Sequence, residues 1–307
     1  MQTILITGGT GLVGTALSQD LLRKGYAVIV LTRQQEDENR SDKVAYASWD
    51  PEKGHIDEDA FSKADHIIHL AGAGVMDKRW TKAYKQQIVD SRVKSAELLV
   101  KYLREKPNQV KTLVSASAIG WYGADRQKNM AFTEDDPAAD DFLGQTCQAW
   151  EAAARKAEDM VRVVCIRTGI VLSEKGGALA SFIKPLKFGI AGIPGSGKQM
   201  ISWIHLEDLC RIYIHAIENT NMQGSYNAVS PSPETNKKLT LMLADKMRGN
   251  FYIPMHAPTS MMKLALGERA VEILKSTTVS DSKIRKLGFQ FLFPTLDSAL
   301  AEIVKRT

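Results

Sequence analysis

Short runs of apolar and β-branched residues alternate along the first half of the chain with longer stretches in which apolar side chains recur every three or four positions. Thr3-Ile4-Leu5-Ile6-Thr7 is such a run; it ends in glycines and predicts a buried strand. Apolar residues at Leu12, Val13, Ala16, Leu17, Leu21 and Leu22 then form a helical stripe over Leu12–Lys24, which Gly25 ends. Further strands are predicted at Ala27–Thr32, Lys43–Trp49, His66–Ala71, Lys111–Ala116 and Val161–Arg167, with helices over Trp80–Lys106 and Asp140–Glu158. Strand and helix in alternation require βαβ crossovers, so the expected fold class is α/β with a doubly wound parallel sheet. After Thr168 the texture changes. Gly176, Gly177, Gly189, Gly192, Pro194, Gly195 and Gly197 predict a loop-rich stretch over 173–203. A helix over His205–Glu218, a strand over Ser225–Val229 and mostly helices over 236–307 follow. The chain is therefore expected to divide into a sheet domain, 1–172, and a smaller, mainly helical lobe, 173–307, part of which returns to the main sheet.

Composition narrows the class. With 307 residues, 44% hydrophobic and 24% charged, the chain has enough apolar surface to offset the entropy of ordering it. No run approaches 18 apolar residues and the first residues carry no signal peptide, so neither a membrane partner nor export is expected. Cys147, Cys165 and Cys210 form no C-x-x-C pair and no zinc spacing. A reduced, cytoplasmic setting and no metal are the expectation. The net charge of +5 is spread along the chain; it suits an anionic small molecule and gives no reason to expect nucleic acid. Monomer and homodimer both stay open.

The sharpest chemical signal is Gly8-Gly9-Thr10-Gly11-Leu12-Val13-Gly14, in which Gly8, Gly11 and Gly14 are spaced G-x-x-G-x-x-G between the first strand and the first helix. In that context one glycine makes the tight turn, one lets backbone N–H groups approach a pyrophosphate, and one packs helix on strand. The helix start adds oriented amides for the phosphates. Gly8, Thr10, Gly11, Leu12, Val13 and Gly14 are thus candidate dinucleotide-binding residues. The second strand ends in Arg33 where an NAD site would carry an acid, and the next carboxylate is Glu36. A guanidinium suits a 2′-phosphate, so NADP(H) is the expected cofactor.

These residues and others resemble the short-chain dehydrogenase/reductase superfamily in its extended, NAD(P)-dependent epimerase/dehydratase-like branch, whose fold is Rossmann-like. His69-Leu70-Ala71-Gly72-Ala73 is similar to the strand motif beneath the cofactor, which implies contacts from Leu70, Ala71 and Gly72. Ser115 to Gly123 resembles the segment carrying the active-site serine, and Ile166-Arg167-Thr168-Gly169 the turn near the nicotinamide, which brings in Arg167. Trp121-Tyr122-Gly123, Cys147 to Glu151 and Ser202-Trp203-Ile204-His205 point to an atypical bacterial "epimerase family protein" subgroup with a distinctive C-terminal domain.

One departure concerns catalysis. Active members carry Tyr-x-x-x-Lys on the helix after the serine strand; with Glu151 on the family's glutamate, Leu143 and Cys147 hold those positions here. Neither does acid–base work at neutral pH. Ser117 to polarise a carbonyl oxygen, Tyr122 as a relocated acid and His205 as a helper are the candidate replacements. The plainer alternative packs Tyr122 against the nicotinamide, buries an inert Cys147 and places Trp150 in the core. Gly192 to Gln199 nearly spells a P-loop, but Gln199 replaces the Mg²⁺-binding hydroxyl and no apolar strand precedes it. His66 and His69, three apart on a strand, face opposite ways and do not chelate one metal. Met262–Lys275 has helical apolar spacing, read as lobe core. Two function classes stand: an NADP(H)-dependent oxidoreductase, epimerase or dehydratase acting on a small polar or carbonyl substrate, and a catalytically silent NADP(H)-binding sensor or scaffold.

Overall fold

The computed structural model describes residues 1–33, 43–126 and 130–306. Through the first half the chain runs β1 (Thr3–Thr7), α1 (Leu12–Arg23), β2 (Ala27–Thr32), β3 (Ala45–Asp50), β4 (His55–Ile56), α2 (Glu58–Ser62), β5 (His66–His69), α3 (Lys82–Glu105), β6 (Thr112–Ala118), α4 (Phe142–Arg155) and β7 (Arg162–Thr168). The second half supplies β8 (Ile170–Leu172), α5 (Leu179–Leu186), β9 (Ile190–Pro194), β10 (Met200–Ile201), β11 (Trp203–His205), α6 (Leu206–Glu218), β12 (Gly224–Ala228), β13 (Glu234–Thr235), α7 (Asn236–Arg248), β14 (Ile253–Ala257), α8 (Thr259–Leu266), α9 (Ala270–Leu274), α10 (Ser282–Lys286) and α11 (Leu296–Lys305).

One eight-stranded sheet has the order β12-β7-β6-β5-β1-β2-β3-β4. Its neighbours are parallel except β3 with β4. The fold is the expected doubly wound, Rossmann-like α/β sheet. Alternation explains its layers. Ile4 and Ile6 point into a core shared with Leu17 and Leu21 of α1 and Leu209 and Tyr213 of α6. Leu5 between them joins Leu98, Leu99 and Leu103 of α3 on the other face. Apolar runs without a polar face, such as Thr3–Thr7, are what a strand covered on both sides requires.

From β1 the chain winds outward through β2 and β3, then crosses back to β5, β6 and β7. That reversal between β1 and β5 opens a crevice at the carboxyl ends of the strands, the place where ligands sit in such sheets. The glycine-rich turn and the residues after His69 meet there.

The stretch 173–203 is only partly the loop that its glycines predict. Half of it lies in α5, β9, β10 and the first residue of β11. These strands are two to five residues long and find partners far along the chain: β9 pairs with β14, β10 with β13 and β11 with β8. Elements that short show no periodicity, and Gly189, Gly195 and Gly197 at positive φ only bound them. Leu172, Leu179, Trp203, Leu239, Leu243 and Leu300 form a separate core in this region. Meanwhile β12 adds to the main sheet beside β7. The 262–275 helix is two helices, α8 and α9, broken where Gly267 takes φ +62°. Among the described residues no helix is long and apolar enough to cross a membrane.

Candidate functional site

The glycine-rich turn is shaped by contacts that only glycine allows. Gly8 has φ +69°, and a Cβ there would stand 2.8 Å from the Leu70 carbonyl carbon. One on Gly14 would stand 2.5 Å from Gly9 Cα. Gly8 therefore lets β1 and β5 close up, and Gly14 lets α1 cross the turn. Gly11 differs: its backbone is extended (φ −80°, ψ 176°), and a Cβ would meet only the Gly8 carbonyl oxygen at 3.4 Å, in open space. Gly11 is also the N-cap of α1, without a side-chain cap and without an acid in the first turn. The free N–H groups of Leu12, Val13 and Gly14 leave the helix start ready for an anion. Thr10 is exposed at the rim.

Across the crevice, the Thr7 hydroxyl accepts from the N–H groups of Leu70 and Ala71, both at 3.2 Å, and lies 2.7 Å from His69 Nδ1. With its lone pairs taken by amides, Thr7 donates to Nδ1. Ser95 Oγ donates to the Ser91 carbonyl at 2.7 Å, so His69 Nε2–H donates to Ser95 Oγ at 3.2 Å. His69 is thereby held neutral, and burial pushes its pKa down to about 4. Burial does the same to His66, also to about 4. Between pH 6.5 and 4 the unfolded chain takes up these protons and the native chain does not, so stability falls as pH falls through that window and levels off below it. We expect a loss on the order of 3 kcal/mol per histidine, read as urea midpoints at pH 7, 5.5 and 4. The His69→Asn variant should lose its share of the slope, and an unchanged profile contradicts the assignment.

Arg33 directly follows Thr32, the last residue of β2, and is exposed. Glu36, the next carboxylate, lies outside the described residues. Leu70 and Ala71 are half-buried and Gly72 is exposed where the chain leaves β5.

The catalytic candidates sit differently from the expectation. Ser117, Glu151, Arg167 and Tyr122 are all buried. Ser117 Oγ donates to Glu151 Oε1 at 2.8 Å, Arg167 donates to both Glu151 oxygens at 2.8 and 3.1 Å, and Ser225 Oγ donates to Oε2 at 2.7 Å. Arg167 Nη1 also donates to the Tyr122 hydroxyl at 3.0 Å, which in turn donates to Asn227 Oδ1 at 2.6 Å. Burial opposes the charge on Arg167, but hydrogen bonding and attraction from Glu151 outweigh it and keep the guanidinium protonated above its usual range. Burial pushes the Tyr122 pKa well above the phenol range. Ser117, Tyr122 and Arg167, placed by the sequence at the nicotinamide, are thus bonded to protein on every strong contact, and Tyr122 stacks on Phe132 at 5.1 Å. The physical reason is that β6, β7 and β12 run in register, so Ser117, Arg167 and Asn227 stand side by side, and Ser117 and Arg167 share one acceptor on α4. His205 is apart from them. It caps α6, its Nδ1 accepting from Glu207 N at 3.2 Å, and packs on Phe293 at 4.0 Å between ring centres; burial lowers its pKa.

Leu143 and Cys147 do face the end of β6. A Cβ on Gly120 would lie 3.2 Å from Leu143 Cβ and 3.7 Å from Cys147 Sγ. Burial and the nearby Glu151 raise the thiol to about 11. Three residues went unnoticed in the sequence. Ser225 and Asn227 alternate with Tyr226 and Ala228, a polar face on a short strand that was a readable sign of partners. Arg92 interrupts the apolar face of α3 between Ile88 and Ala96, Leu99.

Fold, switch point and open glycine turn define a dinucleotide-binding α/β protein of the short-chain dehydrogenase/reductase kind. The chain belongs to the NAD dependent epimerase/dehydratase family, whose profile matches residues 4–229; residues 257–303 match a domain of unknown function, DUF1731. It is similar to an epimerase family protein of Staphylococcus aureus strain N315, 35% identical over 99% of this chain and 100% of the relative. It is also similar to the human epimerase family protein SDR39U1, 31% identical over 98% of this chain and 99% of the relative. The crystal structure of human SDR39U1 (isoform 2) with NADPH superposes with a TM-score of 0.88 at 30% identity, covering 100% of both chains.

Proposed function

We propose that this chain binds NADP(H) and acts as an epimerase/dehydratase-like oxidoreductase on a small polar or carbonyl substrate, without the Tyr-x-x-x-Lys pair. The observation that carries the reading is the exposed Arg33 at the end of β2, beside a glycine turn whose space above Gly11 is open. The solved NADPH complex of the human relative supports it. The amides of α1 would hold the pyrophosphate, Leu70 to Gly72 would floor the crevice, and Arg33 would take the 2′-phosphate. NADP(H), when bound, supplies hydride transfer. The same reading assigns 1–172 to the cofactor half and 173–307 to the substrate lobe.

NADPH should bind at least tenfold more tightly than NADH, since a bidentate charge-assisted contact is worth about 1.5–3 kcal/mol. Arg33→Asp should erase that preference. Equal calorimetric affinities of the wild type for the two cofactors overturn it.

A second reading, a silent NADP(H)-binding sensor or scaffold, is favoured by one observation: the hydroxyls of Ser117 and Tyr122 are consumed inside the protein. NADPH turnover with a panel of carbonyl compounds separates the two. Turnover retained in Ser117→Ala and Tyr122→Phe means the chemistry uses other groups of the crevice.

A further inference from the structure

Arg92 on α3 is a guanidinium without a counter-ion among the described residues. Its Nη1 donates to the carbonyls of Ala73 and Ile88, each at 2.9 Å, and Cζ lies 5.0 Å from the centre of the Trp150 ring. No carboxylate pairs with it among the described residues, and there its Nε and Nη2 have no protein partner. Burial depresses its pKa, the mark of a cation stripped of part of its water. A partly desolvated charge left unpaired is costly, and the cost is recovered when an anion arrives.

Its position says where that anion would be. A Cβ on the exposed Gly72 would come within 3.0 Å of Arg92 Cζ, so the head group stands at the chain leaving β5. Two residues back, Leu70 and Ala71 touch Gly8 of the glycine turn. Arg92 is therefore on the wall of the same trough. Trp150 follows Cys147 by one helical turn, and Cys147 is where active relatives of the superfamily place their lysine. Anchored through Nη1, a guanidinium has one edge left, and Nε with Nη2 presents two parallel N–H donors that match two oxygens on one centre.

We propose that the Nε–Nη2 edge of Arg92 is a bidentate oxyanion site in the dinucleotide trough, bringing from α3 a positive charge that the lysine brings from α4 in active members. The oxyanion is a phosphate of the cofactor or a carboxylate on the substrate. The inference rests on the proposed cofactor reading, and the test separates the two.

NADPH affinity is measured by calorimetry for wild type, Arg92→Met and Arg92→Lys, with thermal midpoints as the check on folding. In parallel, oxalate is titrated into each protein saturated with NADP⁺ and the rise in midpoint recorded. If the cofactor supplies the oxyanion, Arg92→Met loses about tenfold or more in NADPH affinity. If the substrate supplies it, NADPH affinity is kept and the oxalate response of the wild type is lost in Arg92→Met. Arg92→Lys, which keeps the charge without the fork, falls between in either case and carries the test should Arg92→Met unfold. NADPH affinity and oxalate response both unchanged in folded variants overturn the proposal for Arg92 alone. A wild type that binds no NADPH overturns the cofactor reading, and this inference with it.

Discussion

Gly11→Val should stay folded and lose NADPH binding by at least a hundredfold. The backbone at Gly11 is extended, so a β-branched residue fits it without strain, and the new side chain meets only the Gly8 carbonyl before entering open space. The fold cost is that of a poor N-cap, about 1 kcal/mol. The binding cost is larger, because the valine fills the space where a diphosphate would accept from the α1 amides. Two such charge-assisted hydrogen bonds at about 1.5–3 kcal/mol each already exceed a hundredfold. Gly14→Val is the contrast, since a Cβ there would press on Gly9 Cα at 2.5 Å and the turn itself has to break. Calorimetry with NADPH and a melting curve separate the outcomes. A folded Gly11→Val that binds NADPH within threefold of wild type would remove the diphosphate from this turn.

Glu151→Ala should be the most destabilising change in the sheet half, at about 3–5 kcal/mol. Glu151 accepts from Ser117, Ser225 and twice from Arg167, all of them buried, and its removal leaves the guanidinium charged and unpaired. That corresponds to a fall in Tm of roughly 5–10 °C. Removing both charges in Glu151→Met/Arg167→Met should restore much of the loss, because the penalty lies in the orphaned charge and not in the absence of the pair. A single variant within 1 kcal/mol of wild type would show that water reaches Arg167. The same cluster bears on chemistry. It ties α4 to β6, β7 and β12, and so holds Leu143 and Cys147 against Gly120.

Local order was legible without the fold. Thr3–Thr7, the α1 stripe, Ala27–Thr32 and the long helix from Lys82 follow from hydrophobic period and from glycines, which act over a few residues. The turn at Gly8 to Gly14 and the cation at Arg33 belong to the same kind of information, because strand, turn and helix are contiguous. Side-chain direction was not legible in the same way. Ser117 is the sixth residue of a run that is apolar or small on both faces, so no alternation tells whether it points to the crevice or to α4. Tyr122 is paired with Asn227, 105 residues later, and Ser117 with Glu151 through the packing of α4. The two- to five-residue strands between Ile190 and His205 exist only because β14, β13 and β8 come to meet them. Arg92 stands at the crevice wall only once α3 lies beside Gly72 and Trp150. Period and turn chemistry are properties of neighbouring residues and survive in the one-dimensional chain. Which polar groups satisfy each other is set by register and packing between distant segments, and that was decided by the tertiary structure.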